Sequence, residues 1–152
     1  MNVTTRNRVA VLHGVNFDVL ERRDPSLYGG RPLSELEHQI KRWAHEAGLE
    51  PLFFQTNHEG EFVEYLHRSC DLADGVLINA GAWTHYSRAI ADALDVCGLP
   101  AVEVHLSDVD SREDWRGVSV FDGLVVEKIS GKGADGYRDA LGVLARELGV
   151  AD

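Results

Sequence analysis

The sequence predicts an α/β fold in which a five-stranded parallel sheet carries helices on both faces. Two observations lead there. Short apolar runs with β-branched content alternate five times with longer stretches whose apolar residues recur at spacings of three and four. The short runs are also continuously apolar, the pattern of strands buried on both sides.

The first run is "RVAVLH" (8–13), followed by a helix whose stripe is Leu33, Leu36, Ile40, Trp43, Ala44 and Ala47. The second is "PLFFQT" (51–56), followed by Phe62, Tyr65, Leu66, Ser69, Cys70 and Ala73. The third, "DGVLINA" (74–80), leads to a helix over roughly 85–97 that Gly98 and Pro100 end. The fourth is "PAVEVH" (100–105) and a fifth candidate is "GLVVEKIS" (123–130). A last helix carries Tyr137, Ala140, Leu141, Leu144 and Leu148. This alternation is the flavodoxin-like arrangement, with strand order 2-1-3-4-5.

With 152 residues, 44% of them hydrophobic, the chain suits one domain spanning 1–152 with one core. A formal charge of −10 argues against nucleic acid and anionic membrane as partners, because both need a clustered positive field. An anionic small molecule must then be held locally, by a few arginines and backbone N–H groups. The opening "MNVTTRNRVAVLHG" has no apolar segment of signal length, and no run approaches a membrane span, so the expected compartment is the cytoplasm. Cys70 and Cys97 both fall on apolar helix faces and read as buried free thiols. The seven histidines show no metal-binding spacing, so no metal is expected.

In such a sheet the ligand lies beyond the carboxyl ends of the strands. The loops there read "HGVNFDVLERRDPSLYGG", "NAGAWTH" and "EVHLSDVDSREDWR", all rich in proton-transferring or anion-binding groups. Asn57 and Glu61 in "QTNHEGEF" read as an N-cap with a helix-dipole partner, a structural feature. Three binding modules fit poorly. No Ser or Thr lies between Gly14 and Pro25 to cradle the phosphate of a flavin, and Asn79 stands where a receiver domain ends its third strand in Asp. The run "GKGADG" (131–136) matches the dinucleotide pattern, but too little chain follows to supply a ribose ligand, so it reads as a tight turn.

"HGVNFDVLERRDPSLYG" resembles the "NGPNLNLLGxREPxxYG" segment of type II 3-dehydroquinate dehydratases. The likeness continues through "FFQTNHEGEFVEYLH", "GVLINAGAWTHYS", "AVEVHLSDVDSRE" and "GxxGYRDAL". The resemblance implies a hydro-lyase of the shikimate pathway that dehydrates 3-dehydroquinate without cofactor, in trimers that combine into dodecamers. It implies Tyr28 as the base, with Arg23 and Arg22 as cations beside it. Such a phenol, with a reference pKa of about 10, needs nearby positive charge to act as a base at neutral pH.

His105 is implied as the acid with Glu103 as its partner, two apart on one strand face, and Asn16 as the holder of a water on the enolate oxygen. Asn79, His85 and Arg116 would contact ring hydroxyls. The N–H groups of Leu106 and Ser107 would take the substrate carboxylate, and Asp92 would come from a neighbouring subunit. From spacing alone, Tyr28 reads equally as a half-buried anchor, Glu103 and His105 as a structural pair, and Asn16 as a turn former. The segment "GVSVFDGLVVEKISG" departs from the family's "HSxxSPxAxGxIxG". A dehydratase of a modified, for example amino, dehydroquinate and a non-catalytic flavodoxin-like binding subunit are the alternatives.

Overall fold

The computed structural model describes residues 5–152. Five parallel strands form one sheet in the order β2-β1-β3-β4-β5. They are β1 (Arg8–His13), β2 (Glu50–Gln55), β3 (Gly75–Asn79), β4 (Ala101–His105) and β5 (Glu127–Ser130). The helices are α1 (Pro25–Tyr28, one turn), α2 (Leu33–Glu46), α3 (Glu59–Leu72), α4 (Arg88–Cys97) and α5 (Asp135–Glu147). Among the described residues no helix is long and apolar enough to cross a membrane.

The period of two in β1 divides the core between the faces of the sheet. Val9 and Val11 pack with Leu36 and Ile40 of α2 and with Tyr137, Leu141 and Leu144 of α5. Ala10 and Leu12 pack with Phe62 and Leu66 of α3 and with Ile90 and Leu94 of α4. Each fully buried aliphatic side chain contributes about 1.5–3 kcal/mol, so the two layers lock the central strands whose ends carry the site.

Four expectations need correction. Strand β2 is only half-buried, because it is a sheet edge; Phe54 finds cover by stacking on Tyr65 of α3, with 4.0 Å between ring centroids. Cys70 is exposed while Cys97 is buried. The core face of α3 runs through Phe62, Leu66 and Ser69, and the next helical position turns away from it toward solvent. The fifth strand begins only at Glu127, since residues 121–124 turn back on themselves, with Leu124 N donating to Phe121 O at 2.9 Å. Helix α4 begins at Arg88 with Ser87 as its cap, the hydroxyl accepting from Ile90 N at 3.2 Å, and His85 lies in a separate 3-10 turn.

Candidate active site

The loops after β1, β3 and β4 open into one pocket. Arg23 and Tyr28 line it from the first loop, Asn79 and His85 from the second, and His105, Leu106, Ser107 and Arg116 from the third.

Tyr28 is presented by α1, whose start and stop are both written in "DPSLYG". Asp24 caps it by accepting from Ser26 N at 2.9 Å, Pro25 takes the first helical position, and Gly29 closes the turn at φ 88°. The tyrosine hydroxyl accepts from Arg23 Nη2 at 2.7 Å and from Arg112 Nη1 at 2.6 Å. Arg112 also donates to Ser107 Oγ at 3.2 Å. The expected second cation, Arg22, is exposed and does not line the pocket. Neighbours on a short turn point in different directions, so one loop cannot bring both Arg22 and Arg23 to one oxygen; the second guanidinium arrives from the loop after β4.

At the end of β4, His105 Nε2 meets Glu103 Oε2 at 2.5 Å. Glu103 is fully buried, and its second oxygen accepts from Ser119 Oγ at 2.8 Å. Ser119 Oγ in turn accepts from Phe121 N at 3.1 Å, which leaves the hydroxyl proton for the carboxylate. A buried carboxylate costs little only when both oxygens are bonded, and Ser119 completes the set.

The His85 ring stacks 6.0 Å from that of His105, and its Nδ1 lies 2.7 Å from Val118 O. A carbonyl only accepts, so Nδ1 carries the proton. Burial lowers the pKa of His85 below the ordinary histidine value, so the ring is neutral at neutral pH and Nε2 keeps a free lone pair. Trp115 meets the His85 ring edge-on at 5.3 Å, and the Arg116 guanidinium lies 4.2 Å over the indole. Arg116 Nε donates to Glu113 Oε2 at 2.8 Å. The amide of Asn79 accepts from Gly81 N and donates to the hydroxyl of Tyr137, both at 3.2 Å.

Besides Arg22, and Glu103 buried behind His105, two further expected site residues lie apart from the pocket lining. Asn16 is exposed on the loop leaving β1, the single non-glycine residue with positive φ (71°) among those described. Its N–H donates to Asn57 Oδ1 at 2.8 Å, and Asn57 donates to Asp18 at 2.9 Å. Asn57 therefore ties down the β1 loop rather than capping α3. Thr56 serves that helix instead, accepting from His58 N at 3.0 Å and donating to Glu61 at 2.6 Å. Asp92 sits on the exposed face of α4.

Spacing alone missed Arg112, Ser119 and Tyr137, because each reaches the site from a distant part of the chain. The only local signal was a second arginine four residues before Arg116.

The model of the family "Dehydroquinase class II" matches residues 7–145. The chain belongs to the class II dehydroquinase family. It is 48% identical over 139 residues to a 3-dehydroquinate dehydratase of Syntrophotalea carbinolica, covering 91% of this chain and 93% of that one. Its fold matches the type II dehydroquinase of Butyrivibrio crossotus with a TM-score of 0.88 at 33% identity, covering 93% of this chain and 99% of that one. It matches the type II dehydroquinase of Propionibacterium acnes at 0.87 and 36%, over 96% and 99% of the two chains. Within this class II dehydroquinase, the segment that departs most from the family pattern still supplies Val118 O to His85 and Ser119 to Glu103.

Proposed function

We propose that this chain dehydrates 3-dehydroquinate to 3-dehydroshikimate by trans elimination through an enolate. The observation that carries the reading is the pairing, across one pocket, of a tyrosine oxygen held by two guanidinium groups with a histidine backed by a buried carboxylate. The name of the Syntrophotalea carbinolica relative supports the same substrate. A binding-only role and an altered substrate are not favoured beside it.

Tyr28 takes the proton at C2, and Arg23 and Arg112 stabilise the negative charge on its oxygen, guanidinium being a permanent cation. The enolate oxygen is met by a water that Asn16 holds, a form of electrostatic preorganisation. His105, with Nε2 engaged by Glu103, has Nδ1 left to protonate the departing C1 hydroxyl. The C2 proton and the hydroxyl thus leave the substrate as the elements of water, and proton return from Tyr28 to His105 resets the site. Leu106 and Ser107 N–H groups take the carboxylate. Asn79, His85 and Arg116 bind the ring hydroxyls, His85 as an acceptor through Nε2. Asp92 completes the site of a neighbouring copy in a trimer that assembles to a dodecamer, and the protein is cytoplasmic.

Incubation with 3-dehydroquinate tests the reading. A conjugated enone absorbance should grow with wild-type protein and fall by about 10²–10⁴ in Tyr28→Phe, the range for a lost general base. Equal rates for the two proteins would overturn the assignment of the base, and no absorbance from either would overturn the activity.

A further inference from the structure

The "GKGADG" run is not needed for any step above, yet it touches the site at one defined place. Strands β4 and β5 pair in parallel up to His105 and Ser130; beyond that point the chain turns, and two further backbone bonds reach the loop after β4 in the reverse order. Gly133 N donates to Leu106 O, and Gly131 N donates to Ser107 O, both at 3.1 Å. Both glycines have positive φ, 57° at Gly133 and 79° at Gly131, which is what folds two successive donors back toward the end of β4.

Peptide planarity turns this into a statement about the pocket. In a trans peptide the C=O of one residue and the N–H of the next point in opposite directions. Tying Leu106 O to the glycine turn therefore aims Ser107 N–H away from the turn. Leu106 and Ser107 both line the pocket, and Ser107 Oγ is itself held by Arg112. A backbone N–H binds an anion well only if its direction is set beforehand, since an N–H bond weakens steeply off axis.

We propose that Gly133, with Gly131, is a positioning residue for the substrate: its N–H fixes the Leu106–Ser107 peptide so that Ser107 N–H faces the substrate carboxylate. This rests on the reading that the carboxylate lies at those N–H groups. The pattern that resembles a dinucleotide fingerprint is on this account an anion-orienting device acting through a neighbouring loop.

The test uses the full chain and four proteins: wild type, Gly133→Val, Gly133→Asn and Gly149→Val. Asn tolerates positive φ and keeps the N–H, whereas a β-branched residue does not fit that conformation. Gly149 has a similar φ of 72° with open space around it and lies in the C-terminal segment away from the pocket. The probes are 3-dehydroquinate for kinetics, and quinate and its carboxamide for binding.

Wild type should prefer quinate over the neutral carboxamide by tenfold or more. Gly133→Val should raise KM about tenfold with kcat within twofold, and should lose most of the preference for the carboxylate. Gly133→Asn should restore both, and Gly149→Val should leave both unchanged. If wild type binds the two probes equally, the carboxylate reading fails and this proposal with it. If wild type discriminates and Gly133→Val discriminates as well, the carboxylate reading stands and the positioning role is overturned. A fall in kcat at unchanged KM also overturns it, because that pattern belongs to the reacting groups.

Discussion

Arg112 donates a hydrogen bond to the Tyr28 hydroxyl at 2.6 Å from 84 residues further along the chain. The phenol is therefore flanked by one cation from its own loop and one from the loop after β4. Replacing Arg112 with Ala should lower kcat by about 10²–10³, the usual loss when one preorganised electrostatic donor is removed. Replacing Arg22 with Ala should leave kcat within about twofold, since exposed groups away from a site contribute little. Steady-state rates with 3-dehydroquinate decide it, and equal losses for the two variants would contradict the arrangement.

Ser119→Ala should cost stability as well as rate. It leaves one oxygen of the fully buried Glu103 without a donor, and a hydrogen bond to a charged group is worth about 1.5–3 kcal/mol. Urea unfolding at neutral pH should show a loss in that range. Ser119→Cys, which keeps a weak donor, should recover only part of it. A midpoint unchanged in Ser119→Ala would mean that Glu103 finds another donor.

His13 supplies a pH dependence of folding. It is fully buried between Phe17 and Phe53, both ring nitrogens lack hydrogen-bond partners, and Glu37 Oε1 lies 3.8 Å from Nε2. Burial pushes its pKa down to about 3. In the unfolded chain histidine titrates near 6.5, so between those values the unfolded state binds a proton that the folded state refuses. Stability from this group is constant above about pH 6.5 and falls as pH drops toward 3, on the order of 1 kcal/mol per pH unit. Urea midpoints at pH 7 and pH 5 should differ less in His13→Leu than in wild type. An identical difference would mean that His13 is protonated in the folded protein.

From the place of His85 in the pocket lining, a pH dependence of binding is expected. Its lone pair on Nε2 is lost on protonation, and burial places that event below the ordinary histidine value. Affinity for quinate should therefore hold through neutrality and fall on the acid side of that value. His85→Asn should bind more weakly overall and lack this acid limb. A wild-type limb centred at or above the ordinary histidine value would contradict the neutral tautomer.

The sheet was legible because its central strands are buried on both faces, and continuous apolar runs such as "GVLIN" have few other meanings. The edges were less so. Strand β2 reads like a central strand because its run is just as apolar, yet at the sheet edge it is only half-buried, with Phe53 stacked on His13 and Phe54 on Tyr65 of α3. The run "GLVVEKIS" has the composition of a strand throughout, but its first half is held in a turn by the buried Phe121 and by Val120 N bonding to Thr84 O at 2.8 Å.

The site divided in the same way. Glu103 and His105 share a strand face, so their spacing announced their contact, and the loop carrying Arg23 and Tyr28 keeps its partners five residues apart. Arg112 and Ser119 act across long sequence separations, where neither periodicity nor spacing carries a signal.

The connection between β4 and β5 has a consequence for how this protein can change. Within residues 112–119 it carries Arg112 for the phenol, Arg116 in the pocket, the carbonyl that sets the tautomer of His85, and the hydroxyl behind Glu103. Loops usually absorb insertions and deletions without harm, but here a one-residue slip would displace the partners of Tyr28, His85 and Glu103 together. Its side chains are free to drift only where they face solvent, while its length is fixed by four contacts at once.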